Sequence, residues 1–302
     1  MMTRREKNLA LDKINAELAE SYSDGIGVND AVNETIPCRS EVVSVTEKLL
    51  ETLFPGFERS GSYPGTRVLL GDILKELSDQ IGRALRRVRG DECEACQEDC
   101  SSRSDELAMS LLSAIPGIRE MLKADIEAAY KGDPAAKNYD EIILSYPGLK
   151  AVAIQRIAHV LFCSGVPLIP RMMTEYAHSI TGIDIHPGST LGKGIFIDHG
   201  TGVVIGETAV LGEQVRIYQG VTLGAVSFPK DACGALIKGQ KRHPTIGNNV
   251  IIYSGASVLG DIIIGDNSVI GGNVWLTESL PAGTKITAAM PENRKKFNGQ
   301  SK

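Results

Sequence analysis

The sequence has little that would tie it to nucleic acid, to a bilayer or to an oxidising compartment. Its 32 Lys and Arg are outnumbered by 37 Asp and Glu, a formal net charge of −5, so no basic excess points to nucleic acid. No apolar run approaches the ~20 residues that span a membrane, and the opening MMTRREKNLALDK lacks the apolar core of a secretory signal. A cytoplasmic location is the expectation. Six cysteines in 302 residues do not make a disulfide scaffold. Three of them, Cys93, Cys96 and Cys100, fall in the acidic stretch DECEACQEDC. With no clear fourth ligand and no paired CxxC spacing, they read as thiols on an exposed helix connection rather than as a metal or redox site.

What the sequence does have is a step of six. Aliphatic or small apolar residues recur at Ile185, Leu191, Ile197, Val203, Ala209, Val215 and Val221. The step resumes at Ile246, Ile252, Val258, Ile264, Ile270 and Leu276. This period is neither helical nor simply alternating. It fits a chain that turns a corner every six residues and points an aliphatic side chain inward on each side, three sides making one coil of a triangular β-solenoid. An ordinary β-sandwich would space its strands less regularly.

The region before the repeat is helical. A short helix and irregular structure occupy the first ~40 residues, and a helix then begins near Val42 and stops at Phe54-Pro55-Gly56. Leu70, Ile73, Leu74, Leu77, Ile81, Leu85 and Val88 form the apolar stripe of another. Its Arg83, Arg86, Arg87 and Arg89 read as a solvated face. A run through Leu107, Leu111, Leu112 and Ile115 is expected to break at Pro116-Gly117, continue through Ile126 and stop at Lys131-Gly132-Asp133-Pro134. Further helices follow Pro147-Gly148 and span roughly 171–179. The fold class is therefore α+β: a helical domain over 1–180, a parallel β-helix over 181–290 and a polar tail over 291–302.

Five histidines are present, and three stand in the repeat with charged neighbours: Asp184-Ile185-His186-Pro187, Asp198-His199-Gly200 and Arg242-His243-Pro244. Alternation about Ile185 and Ile197 turns Asp184, His186 and Asp198 outward. Asp184 and His199 are fifteen residues apart, nearly one coil, so stacking at ~4.8 Å draws their neighbourhoods together. A carboxylate beside a histidine suits a general base.

The phrases Asp-Ile-His-Pro, Ile-Asp-His-Gly-Thr-Gly, Val-Ile-Gly-Glu-Thr-Ala-Val, Gly-Val-Thr-Leu-Gly and Lys-Arg-His-Pro-Thr-Ile follow one another in order. Here the sequence resembles the serine O-acetyltransferases of the hexapeptide-repeat superfamily, closely over 124–276. Residues 1–120 match only in being helical. The resemblance implies a left-handed β-helix and transfer of acetyl from acetyl-CoA to L-serine in cysteine biosynthesis. It implies His199 as general base paired with Asp184, and His243 as a second active-site histidine. It also implies Arg242 on the serine carboxylate, and Asp133 and Asp198 on the ammonium group. Glu207 is expected to orient the site. Backbone N–H groups near Gly224 are candidate oxyanion donors. Attack is direct, without a covalent enzyme intermediate, and no metal is expected.

Two features depart from the family pattern. Gly224 is followed by Ala225 where the family often has a second glycine, which alters the approach of the CoA arm. The segment AVSFPKDACGALIKGQK is long for a connection between coils and reads as a lid over serine and CoA, a trimer contact being the rival. Lys285, Arg294, Lys295 and Lys296 are candidates for the coenzyme phosphates, against a plain solvated tail. The resemblance further implies a homotrimer or dimer of trimers and inhibition by L-cysteine. The polar ending Asn-Gly-Gln-Ser-Lys argues against a tail-mediated complex with O-acetylserine sulfhydrylase. The rivals are a hexapeptide-repeat acetyltransferase acting on a sugar or another small acceptor, a structural solenoid, and a carbonic-anhydrase-like solenoid using His186, His199 and His243 on zinc. The pairing of those histidines with Asp184 and Arg242 suits proton transfer better than zinc.

Overall fold

The computed structural model describes residues 2–22, 36–57, 64–89, 94–227, 231 and 233–289. The chain divides into two compact units, 1–36 and 37–302. In the first, α1 (Arg4–Ser21) starts on a reciprocal cap: Thr3 Oγ1 accepts the Glu6 N–H, and the Glu6 carboxylate accepts the Thr3 N–H at 2.6 Å. The helix buries none of its side chains.

The second unit opens with α2 (Arg39–Leu53), α3 (Thr66–Arg89), α4 (Glu94–Gly132), α5 (Tyr139–Ser145), α6 (Pro147–Cys163) and α7 (Ile169–Thr181). Leu49, Leu53, Ile73, Leu77, Ile81, Leu111, Leu122 and Ile154 close a shared core. The stripe of α3 is set one residue earlier than the spacing suggests: Leu69 is buried, Leu70 only partly, and Val88 is exposed. The expected break at Pro116 does not occur, and α4 runs unbroken for 39 residues. A mid-helix proline costs roughly 3 kcal/mol. Burial of Leu111 and Ile115 before it and Ile118 and Leu122 after it, each worth about 1.5–3 kcal/mol, outweighs that cost. The same helix takes in Cys100, which is buried on the face of Ser104, Leu107 and Leu111 and so is not an exposed thiol. Cys93 lies outside the described residues. The short α5, capped by Asn138 on the Glu141 N–H, is an element the periodicity did not announce.

Strands follow at once. They are β1 (Asp184–Ile185), β2 (Thr190–Leu191), β3 (Phe196–Asp198), β4 (Val204–Ile205), β5 (Val210–Leu211), β6 (Arg216–Tyr218) and β7 (Thr222–Gly224). After the long segment come β8 (Thr245–Ile246), β9 (Ile251–Ile252), β10 (Ser257–Leu259), β11 (Ile263–Ile264), β12 (Val269–Ile270), β13 (Trp275–Leu276) and β14 (Lys285–Ile286). Through β13 every third strand stacks in parallel, and β14 stacks on β12 because the side between them, at Leu280, forms only a single bridge to Ile264. The first sheet is β1-β4-β7-β10-β13, the second β2-β5-β8-β11 and the third β3-β6-β9-β12-β14. The solenoid read from the step of six is thus the fold, and all thirteen positions of that step are buried.

They are not all equivalent, however. Each side of a coil points two residues inward, two apart, such as Val203 with Ile205 and Val250 with Ile252. The first coil is longer than the next: Asp184 pairs with Val204, 20 residues on, whereas Val204 pairs with Thr222, 18 on. The extra pair lies in the corner Asp198-His199-Gly200-Thr201-Gly202. There His199 adopts φ +57, Gly200 +80 and Gly202 +77. A Cβ on Gly200 would run into Ile183, so this bend requires glycine. From Val203 to Val221 the step therefore runs through the other inward position.

The helices grip the first coil through a buried ion pair. Arg156 on α6 meets both oxygens of Asp125 on α4 at 2.9 Å, and donates to the carbonyls of Leu191 (3.0 Å) and Gly192 (2.7 Å). Asp125 also accepts the Ile195 N–H at 2.8 Å. A buried pair repays its desolvation only when its remaining donors and acceptors are satisfied, as these are. Close packing finishes the join: a Cβ on Gly148 would overlap the Ile197 carbonyl. None of the described helices is long and apolar enough to cross a membrane.

Candidate active site

Two groups of polar residues stand at two different corners of the solenoid. The first gathers where α4 ends. Asp133 accepts the Ala135 N–H at 2.8 Å and the phenolic hydrogen of Tyr146, the residue before α6, at 2.5 Å. The Tyr146 bond, then the Ala135 bond, hold the Asp133 carboxyl below the usual carboxylate range. Burial, then the carboxylate, push the Tyr146 hydroxyl up. The charge of His199 is felt at Asp133 and that of Asp198 at Tyr146, so these four residues share one neighbourhood. Asp198 ends β3, and its Oδ1 lies 3.7 Å from His199 Nδ1. The His199 side chain is 71% exposed, on a residue in the left-handed region at this corner.

The second group climbs the corner between the first and second sheets, one coil at a time: His186, then Glu207 and Thr208, then Arg242 and His243. Glu207 Oε2 meets Arg242 Nη2 at 2.5 Å, and that bond holds Glu207 below the usual range. Thr208 Oγ1 accepts the N–H of Arg242 (3.0 Å) and of His243 (3.2 Å), and lies 2.8 Å from His243 Nδ1. The Thr208 N–H also donates to Nδ1, at 3.0 Å. Burial first, then the charges of Arg242 and Lys241, push His243 down to about 4, so it is neutral at pH 7. The His243 ring lies against Gly206, where a Cβ would collide with it. His186 accepts the Gly188 N–H at 3.0 Å and is likewise shifted down by burial.

The remaining candidates are dispersed. Asp184 and His199 show different ion-pair partners within the chain: Arg171 at 3.7 Å for Asp184, Asp198 for His199. The fifteen-residue interval falls short of the first coil, so Asp184 lies beside Val204, five residues past His199. Gly224 ends β7, and Ala225 opens the long segment. That segment and the Gly260–Asp261 corner enclose a cavity of about 300 Å³ lined by Val226, Ile237, Gln240, Lys241, Arg242 and Asp261. Lys285 is on β14 in the third sheet and does not line it. Arg294, Lys295 and Lys296 lie outside the described residues. Cavities of about 320 and 410 Å³ also exist, but residues of the helices and of the turn after α2 line them, and none belongs to either group. Two residues of the site went unread in the sequence. Tyr146 carried no motif, and Thr208 stood in the quoted Gly-Glu-Thr phrase without a role.

Comparison with known proteins supplies the context. Residues 243–278 match the family model for the bacterial transferase hexapeptide (six repeats), and 80–154 match that for the serine acetyltransferase N-terminal region. The chain is 44% identical over 297 residues to the plasmid serine acetyltransferase of Synechococcus elongatus, across 95% of this chain and 93% of that protein. It is 48% identical over 165 residues to serine acetyltransferase of Mycobacterium tuberculosis, across 55% and 68% respectively. Serine acetyltransferase isoform 3 of Entamoeba histolytica, solved in complex with cysteine, matches with a TM-score of 0.72 at 37% identity, across 95% of each chain. The Neisseria gonorrhoeae serine acetyltransferase in complex with serine matches at 0.54 and 26% identity, across 88% of this chain and 98% of that one. The likeness therefore reaches well before residue 120, contrary to the expectation from short motifs. Helical regions keep their packing without keeping short phrases.

Proposed function

The chain belongs to the serine acetyltransferase family, and from that premise we propose that it transfers the acetyl group of acetyl-CoA to the hydroxyl of L-serine, giving O-acetyl-L-serine and CoA in cysteine biosynthesis. The observation that carries the reading is a set of charges suited to an amino acid. Two carboxylates, Asp133 and Asp198, share a neighbourhood with an exposed histidine, and a guanidinium, Arg242, is held at the other group. The carboxylates take the ammonium group. Arg242, aimed by Glu207, takes the carboxylate as a two-pronged fork.

His199 removes the hydroxyl proton as the oxygen attacks the thioester carbonyl. The tetrahedral intermediate collapses, the CoA sulfur leaves, and the imidazolium returns the proton to it. His243, neutral, supplies an N–H to an oxygen of the reacting centre. The two groups occupy different corners of one solenoid, so a complete site forms between copies, in a trimer or a dimer of trimers. The 225–241 segment walls the acetyl donor, and its cavity beside Arg242 supports that assignment. L-cysteine, which differs from serine only in SH for OH, competes for the same charges.

The test is CoA release from acetyl-CoA against L-serine, sugars and simple amines and alcohols, with L-cysteine titrated in. Release with L-serine, and a serine Michaelis constant that rises with L-cysteine, are expected. Release with a sugar and none with serine would overturn the assignment.

A further inference from the structure

Every polar atom of Thr208 is committed to the segment 241–243. Its carbonyl accepts the Lys241 ammonium at 2.6 Å. Its hydroxyl oxygen accepts two backbone N–H groups, those of Arg242 and His243. Both acceptor positions of that oxygen are then filled, so its one hydrogen is left to donate. The acceptor within reach is His243 Nδ1, at 2.8 Å, which also receives the Thr208 N–H at 3.0 Å. Two donors converge on Nδ1, so Nδ1 carries no proton. In the neutral ring the hydrogen is on Nε2.

We propose that Thr208 is the positioning residue of the second group: it fixes His243 in the Nε2–H tautomer and holds Arg242 and His243 in register on the next coil. It acts through His243 and does not touch substrate. The inference rests on the reading of His243 as a donor at the reacting centre, and it explains a requirement that reading leaves open. A neutral imidazole is a donor on the chosen nitrogen only when something else occupies the other. Glu207, the neighbour of Thr208, aims Arg242. Two consecutive residues on one coil thus set both side chains of the next.

The test compares Thr208→Val and Thr208→Ser with the unaltered full-length protein, using the ring-nitrogen resonances of ¹⁵N-histidine-labelled protein at neutral pH together with steady-state kinetics. Thr208→Val keeps the shape and removes the hydroxyl. The backbone N–H of residue 208 then remains as the one donor on Nδ1, and the Arg242 and His243 N–H groups lose the oxygen that holds them, so the His243 signals should shift part of the way from the pure Nε2–H pattern toward an averaged one. Its turnover should drop about a hundredfold, as misplacement of a reacting group by about 1 Å does, with the acetyl-CoA Michaelis constant within twofold. Thr208→Ser should restore both readouts. Unchanged His243 signals in Thr208→Val, or a Ser variant as impaired as the Val variant, would overturn the proposal. The resonance readout needs no turnover. A shifted tautomer in a protein that fails to acetylate serine would therefore leave this inference standing and remove the functional reading alone.

Discussion

Tyr146 donates its phenolic hydrogen to Asp133 across 2.5 Å, joining the residue that opens α6 to the one that follows α4. The bond keeps Asp133 ionised and aims its free oxygen positions. Tyr146→Phe deletes the donor without changing the ring. The Asp133 carboxyl then rises toward its ordinary value, so loss of its charge begins at a higher pH. The serine Michaelis constant is expected to rise a few-fold at neutral pH and further toward pH ~4, where an ordinary Asp carboxyl begins to lose its charge, while that of acetyl-CoA stays constant. Serine kinetics at the two pH values decide it, and a variant indistinguishable from the parent at both would exclude Asp133 from serine binding.

His199→Ala should lower turnover by about two to four orders of magnitude, the range for losing a general base. Acetyl-CoA affinity, measured by calorimetry, should be unaffected. Near-parental turnover would remove His199 from the proton transfer.

Arg242→Lys replaces a fork with a point charge and should raise the Michaelis constant for serine more than that for acetyl-CoA. Glu207→Gln retains the shape but loses the charge that aims Arg242 at 2.5 Å, so it should err in the same direction and by less. If Glu207→Gln were the worse of the two, Glu207 would be contacting serine itself.

His243 carries a pH signature. Its folded value is pushed down to about 4, whereas in an unfolded chain it titrates near ~6.5. A group whose folded pKa is depressed contributes its stability above the unfolded value and loses it as pH falls toward the folded one. Resistance to urea should therefore decline between pH ~6.5 and ~4, and His243→Gln should decline less over that span. Parallel decline in both proteins would assign the loss to other groups.

Much of this molecule is legible in the sequence because a solenoid repeats its packing problem. One aliphatic position every six residues is enough to place strands and corners, and Asp198, His199, Arg242 and His243 stand out as charged interruptions of that rhythm. What the rhythm conceals is phase. Val203 continues the step from Ile197 numerically, yet the strand register passes from Ile197 to Ile205. Only paired strands reveal the two added residues at the His199 corner. The same slip is why the interval between Asp184 and His199 misjudges their alignment. Contacts between distant segments were out of reach as well. Nothing local to Tyr146 names Asp133, and nothing local to Asp125 names Arg156. Pro116 misled for the opposite reason, since a strong local rule gave way to burial on both sides of it.

The Asp125–Arg156 pair has a consequence for how the protein is made. Synthesis proceeds from the N-terminus, and domains form as they emerge. Both residues therefore leave the ribosome before Leu191, Gly192 and Ile195, whose backbone groups they bind. A finished helical surface awaits the first coil and gives it a register. Each later coil then copies the one beneath it, so the solenoid winds in one direction, like thread laid on a spool whose first turn has been pinned.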